Sequence, residues 1–274
     1  MSKTSNKGGQ SLGNALRSTF TLGAMFISLI VSWLVFKYVM GSPLNFEGGN
    51  PEGTPLPGNY LAIIYKGGFI VPLLMTVNLI LIIFSIERAI TISRARGKGR
   101  INIFVKNLQT LLDNDKIEDA IVACDKQRGS LANVMKAGLM RYRALQHDTT
   151  LVKDQKILAL QKEFEEATAL ELPMLSRNLV ILSTIASISV LTGLLGTVFG
   201  MIRAFAALAQ AGAPDALALA TGISEALINT AFGIGGSLFA IILYNFFSTQ
   251  IDGFTYKIDE AGFSLVQSFA ASTK

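Results

Sequence analysis

One cysteine, Cys124, and one histidine, His147, stand in a chain of 274 residues. A lone thiol admits neither an intrachain disulfide nor a paired-thiol metal site. The two residues lie in different regions, so they form no nucleophilic pair. Cys124 reads as a small buried residue of a helix, and His147, in a polar stretch, as a surface residue. Charge is also scarce, at 16% of residues. The sequence has no P-loop, no H-E-x-x-H and no G-x-S-x-G. We therefore expect no enzyme, no cofactor and no metal site. The acids of the central region (Asp113, Asp115, Glu118, Asp119, Glu163, Glu165, Glu166) alternate with lysines at helical steps, which describes a solvated, ion-paired face. No strand pattern competes anywhere, and no inverted repeat of the kind that builds solute transporters is visible.

What the chain has in abundance is apolar residues, half of its length. A helix needs roughly 20 of them to cross a bilayer. Four segments qualify: residues 20–40, 60–86, 179–205 and 226–247. The second is interrupted by Lys66-Gly67-Gly68, which moves its core to 69–86. The expected fold is all-α, a polytopic membrane protein with four transmembrane helices and long cytoplasmic helical extensions.

The net charge of +5 forms no single patch, which argues against nucleic acid. Instead the bases follow the loops. Lys3, Lys7 and Arg17 precede the first span, and Arg88, Arg94, Arg96, Lys98 and Arg100 follow the second. Lys66 is the sole base between Gly41 and Gly68, and the connection containing Asp215 has none. The positive-inside rule then puts both termini and the central region in the cytoplasm. Lys37, near one end of the first span, can snorkel to the headgroups. That first span is too long for a signal peptide, and Gly41-Ser42-Pro43-Leu44 offers no small-x-small cleavage site, so it is expected to remain as an anchor.

The chain divides accordingly. Residues 1–19 are a cytoplasmic tail, polar and disordered through Gly13, and 20–40 are an anchor. Residues 41–66 are a periplasmic loop whose Gly-, Pro- and Asn-rich part, 41–58, should hold no helix. Residues 67–88 form a span and 89–178 a cytoplasmic helical region. Within it, short amphipathic helices break at 113–116 and 128–130, and a helix over 153–177 runs into the third span. Residues 179–247 are a transmembrane helix pair. Residues 248–274 continue as an amphipathic helix: from Phe247, at the end of the fourth span, Ile251, Phe254, Ile258, Ala261, Leu265 and Phe269 recur at three- and four-residue steps.

The polar content of that helix pair is its most informative feature. Gly193, Gly196, Thr197 and Gly200 share one side of the third span, and Ala226, Thr230, Gly233 and Ser237 make a similar stripe on the fourth. Small residues allow close backbone approach, so packing alone is one reading and a wet pathway the other. Glu225, with Asn229 one turn on, is either a functional carboxylate at membrane depth or an interfacial acid, solvated or paired with Arg203.

Two motifs carry a resemblance. Gly193-Leu194-Leu195-Gly196-Thr197-Val198-Phe199-Gly200 and Gly222-Ile223-Ser224-Glu225-Ala226-Leu227-Ile228-Asn229-Thr230-Ala231-Phe232-Gly233 together resemble the ExbB/TolQ/MotA proton-channel family, its ExbB branch above all. The stretches from Lys66-Gly67-Gly68 to Glu87-Arg88, and from 112 to 139, are similar to further parts of that family. The resemblance implies a homopentamer around two copies of an ExbD-like single-span partner whose aspartate carries the proton. It implies coupling to a TonB-like protein and residence among the lipids of the bacterial inner membrane. Thr197, Glu225 and Thr230 become pore-lining residues, and Gly193, Gly196, Gly200 and Gly233 helix-packing ones. A TolQ-like or motility stator, a sodium-driven variant and a non-conducting scaffold remain alternatives. The chain departs from the family in its extra first span and in Val190, where many members carry a proline.

Overall fold

A computed structural model describes residues 7–148, 150–210 and 216–272. Among the described residues nine α-helices can be named: α1 (Lys7–Leu34), α2 (Tyr60–Tyr65), α3 (Ile70–Ala95), α4 (Ile101–Asp113), α5 (Ile117–Gln127), α6 (Ser130–Gln146), α7 (Lys153–Ser176), α8 (Leu179–Gln210) and α9 (Ala216–Ser272). Four stretches of the described residues are long and apolar enough to cross a membrane: Thr21–Met40, Ile70–Ala95, Lys153–Ala209 and Ala216–Ala271. The described residues contain no strand, only an isolated bridge between Phe46 and Pro55. The fold is thus an all-α, multi-pass membrane protein. Two expectations change. The tail read as disordered through Gly13 is helical from Lys7 onward, and residues 1–6 lie outside the described residues, as does Asp215.

The chain forms two compact units, one of residues 1–85 and 181–243, the other of 86–180 and 244–274. In the first, α1 buries Ala24, Ser28 and Ser32, one residue per turn. The Ser28 hydroxyl donates to Ala24 O at 2.7 Å, so it costs little in an apolar setting. The opposite face (Leu22, Phe26, Ile27, Ile30) is exposed, as suits lipid. Helix α1 ends in a π-helical turn, Val35–Met40.

The loop beyond that turn corrects a second expectation. It holds two 3₁₀ turns, Pro43–Asn45 and Glu47–Gly49, where no helix was expected. Two asparagines tie this loop to the helices on either side. Asn45 Nδ2 donates to Val39 O and Met40 O, at 2.7 and 2.9 Å, satisfying carbonyls that a helix end leaves unpaired. Asn59 Nδ2 reaches Asn45 Oδ1 at 2.9 Å, while Asn59 Oδ1 caps α2 by accepting from Leu61 N and Ala62 N. Phe46 is buried against the edge of Tyr65.

In the second unit, α4 to α7 and the last 29 described residues of α9 share a core. It includes Leu108, Ala120, Leu131, Met135, Leu139, Tyr142, Leu160, Ile258, Leu265 and Phe269, and all seven residues of the amphipathic stripe from Phe247 to Phe269 are buried. The turn between α5 and α6 takes positive φ at Arg128 and Gly129 (58° and 85°). A Cβ at Gly129 would lie 2.7 Å from Gly97 N, so glycine is needed there for both conformation and space.

Helices α7 and α8 are separated by Arg177 and Asn178, four residues after Pro173 interrupts the hydrogen-bond ladder of α7. The carbonyl of Leu175, in the last turn of α7, accepts from buried Arg88 at 2.8 Å. Glu87 is held by Arg88 at 2.6 Å, by Thr91 and by Asn178. The break in the helix and the Glu87-Arg88 pair therefore satisfy each other.

Cys124 is 2% exposed, and burial, aided by neighbouring Asp125, pushes its thiol up to about 12. The thiolate is the reactive form, so the folded protein at pH 8 should leave Cys124 unlabelled by a maleimide, with one label per chain appearing in denaturant. Rapid labelling of the native protein, read by intact mass, would contradict this packing.

Candidate functional site

Residues 186–204 of α8 and 222–237 of α9 run antiparallel along a seam of small residues. A Cβ at Gly193 would come within 2.9 Å of Asn229 O and Gly233 Cα, and one at Gly233 within 2.7 Å of Gly193 Cα and Ser189 O. At Gly200 it would meet Ala226 N and Gly222 O, both at 2.8 Å. Gly196 lies against the side chain of Asn229. The two backbones thus touch at Gly193, Gly200 and Gly233, and any side chain at these three glycines would separate the helices. At the far end Ser237 Oγ donates to Ala186 O at 2.6 Å.

Close approach brings Thr197 and Thr230 together. Their hydroxyl oxygens lie 2.8 Å apart, and each also lies near the carbonyl one turn back, Gly193 O at 3.2 Å and Ala226 O at 3.1 Å. Three contacts are shared by two hydroxyl protons, since each threonine has a single O–H. One contact is therefore always without a proton, and rotation of the hydroxyls exchanges which one. Both residues are half-buried.

Glu225 faces a different neighbour. It is 4% exposed, and Arg203 Nη1 reaches its two oxygens at 2.8 and 3.0 Å. The arrangement is lopsided, because the Arg203 side chain is 53% exposed while that of Glu225 is 5%. The guanidinium rests over the Phe69 ring, 5.5 Å from its centre, and Phe69 meets Phe199 edge-on at 5.4 Å. Gly68, with φ of 76°, lays its backbone against the Glu225 carboxylate, where a Cβ would clash. No hydrogen bond joins Glu225 to Thr197 or Thr230 among the described residues.

Asn229 is wholly buried and donates through Nδ2 to Gly67 O at 2.8 Å. The Gly67-Gly68 turn before α3 is thereby fastened to α9 at Asn229 and lies close against Glu225. Read from sequence, that turn merely interrupted an apolar run, yet glycine pairs at a helix start commonly mark close backbone approach. Asn229 Oδ1 and Ser189 Oγ are buried without a hydrogen-bond partner. Ser189 and Asn78 both crowd the Cα face of Gly236, a polar cluster that no sequence motif indicated. Among the described residues, no three His, Cys, Asp or Glu side chains gather as a metal site would require.

Residues 126–260 match the MotA/TolQ/ExbB proton channel family. The biopolymer transport protein ExbB of Salmonella typhimurium is 40% identical over 73 residues, 27% of this chain and 30% of that protein, so the match spans less than a third of that relative's length. The Tol-Pal system protein TolQ of Haemophilus influenzae is 28% identical over 202 residues, 71% of this chain and 86% of the relative. TolQ of Pseudomonas aeruginosa is 27% identical over 154 residues, 56% of this chain and 67% of the relative. The matched residues include the whole glycine seam, both threonines and the Glu225-Arg203 pair, and the chain belongs to the MotA/TolQ/ExbB proton channel family.

Proposed function

We propose that this protein is the ExbB-like subunit of an inner-membrane proton channel. In this reading it forms a homopentamer around two copies of an ExbD-like partner and uses the proton motive force to energise TonB-dependent outer-membrane transport. Both termini lie in the cytoplasm, and the activity is ion passage and motion without covalent catalysis. The observation that carries the reading is the hydroxyl pair Thr197-Thr230, whose two protons serve three contacts. Such a pair accepts and releases a hydrogen bond from a passing carboxylic acid without a large change in energy. Conduction needs sites weak enough to leave as well as to reach.

A TolQ-like role is the second reading, favoured by the longer coverage of the Haemophilus relative. Expression in a strain lacking ExbB and in one lacking TolQ separates the two. Restored TonB-dependent uptake supports the first, and restored Tol-Pal function alone supports the second. Co-purification with the ExbD-like partner, followed by mass determination, tests the assembly. Five copies with two partners is the expected mass, and a chain that ignores the partner leaves a packing scaffold as the better account.

Thr230→Val keeps the shape of the side chain and removes its hydroxyl. We expect unchanged assembly by size exclusion and loss of proton-driven transport in the rescued strain. Normal transport in that variant would overturn the role given to the threonine pair.

Arg203→Gln leaves a buried carboxylate without its counter-charge. A fully buried pair broken in this way costs roughly 3–5 kcal/mol, and the half-exposed Arg203 should cost less. The expected signature is a lower melting temperature that Glu225→Gln largely restores in the double variant. Additive losses in the double variant would show that the two residues act independently.

A further inference from the structure

The end of α1 away from the N-terminus meets α3 across a cleft of about 450 Å³, lined among others by Leu29, Trp33, Leu34, Phe69, Leu73 and Thr76. That volume lies within the range of small-molecule sites, roughly 300–1,000 Å³. The Thr76 hydroxyl is bonded to Pro72 O at 2.7 Å, so the cleft presents methyl and ring surface rather than an open donor. Trp33, Phe69 and Leu73 are each about half exposed along it. One turn beyond Trp33, in the π-helical turn that follows α1, stands Lys37. Its Nζ lies 5.0 Å from the Trp33 ring centre and 5.8 Å from that of Tyr38.

Lys37 differs from the bases near it. Lys66 donates to Glu52 O, and Arg203 is held by Glu225. Lys37 engages two aromatic rings and no carboxylate among the described residues. An apolar cleft with an ammonium group over the tryptophan that lines it, and a tyrosine beside that ammonium, has the chemistry of a lipid whose tail is in hydrocarbon and whose phosphate is at the interface. We propose that this cleft holds one phospholipid, with an acyl chain between α1 and α3 and its phosphate on Lys37.

One wall of the cleft is the Phe69 ring. The same ring supports the Arg203 guanidinium at 5.5 Å and packs on Phe199 at 5.4 Å. A bound acyl chain therefore presses on the ring that holds the Glu225-Arg203 pair in place. The first helix, which the family resemblance leaves without a role, becomes the arm that completes the lipid site.

Trp33 is the sole tryptophan of the chain, so its fluorescence reports on the cleft directly. The full-length protein, purified and delipidated in detergent, is titrated with phosphatidylglycerol carrying brominated acyl chains, which quench tryptophan on contact. The expected result is saturable quenching at about one lipid per chain. Lys37→Gln should weaken it about five-fold, the loss expected for one lysine at an anionic lipid. Quenching that only follows the bulk lipid fraction overturns the site. Saturation unchanged in Lys37→Gln overturns the phosphate contact and with it the phospholipid assignment. Unquenched Trp33, with emission that depends on protein concentration, means that a second copy covers the cleft and likewise overturns the proposal. None of these outcomes depends on ion conduction.

Discussion

Direct contact between the backbones of α8 and α9 is the constraint on which the candidate site depends. Where Gly193 faces Gly233 and Gly200 faces Ala226, no side chain separates the helices. Only at that spacing do two threonine hydroxyls on different helices come within hydrogen-bond distance of one another. A larger residue at Gly193 or Gly233 would act on the hydroxyl pair without touching it, by moving one helix away from the other. The glycines and the threonines are therefore parts of one device: the first set the distance, and the second use it.

The polar groups of the seam fall into two kinds, separated by how much charge they expose to an apolar setting. Glu225 is an acid in a place that a lone carboxylate occupies only at high cost. The structure offsets that cost through Arg203, whose guanidinium reaches outward and is supported by the Phe69 ring. Thr197 and Thr230 need no such compensation, because a hydroxyl can back-bond to its own helix. A fixed ion pair and an exchangeable hydroxyl pair suit different tasks. The first holds α9 to α8. The second can change its hydrogen bonding without moving a helix.

Much of this was legible in the sequence, for reasons that differ from element to element. The spans follow from apolar length, and the buried stripe from Phe247 to Phe269 follows from a period of three and four. The glycine and threonine stripes showed which face of each helix meets another. Helix periodicity has no means of stating which residues meet across a seam, so the pairing of Thr197 with Thr230 had to come from the fold. The Asn229 amide against Gly67 is a contact 162 positions apart in sequence, and nothing local to either residue announces it. The 3₁₀ turns at Pro43–Asn45 and Glu47–Gly49 were missed for another reason. A Gly-Pro-Asn composition signals the absence of a long helix and does not exclude single turns, here set in a loop that Asn45 and Asn59 tie to its flanking helices.

The weakness of the hydroxyl pair is what recommends it for the proposed role. The electrical part of a proton gradient supplies about 2.3 kcal/mol per charge at 100 mV. A binding site much deeper than that would hold its proton against the gradient and stop the cycle. A buried, unpaired carboxylate on the pathway would be such a trap, and the structure gives its one acid in the seam a charged partner instead. The group that carries the proton in this scheme belongs to the partner helix. This chain then contributes a wall that is polar enough to meet a carboxylic acid and too weakly polar to keep what it carries.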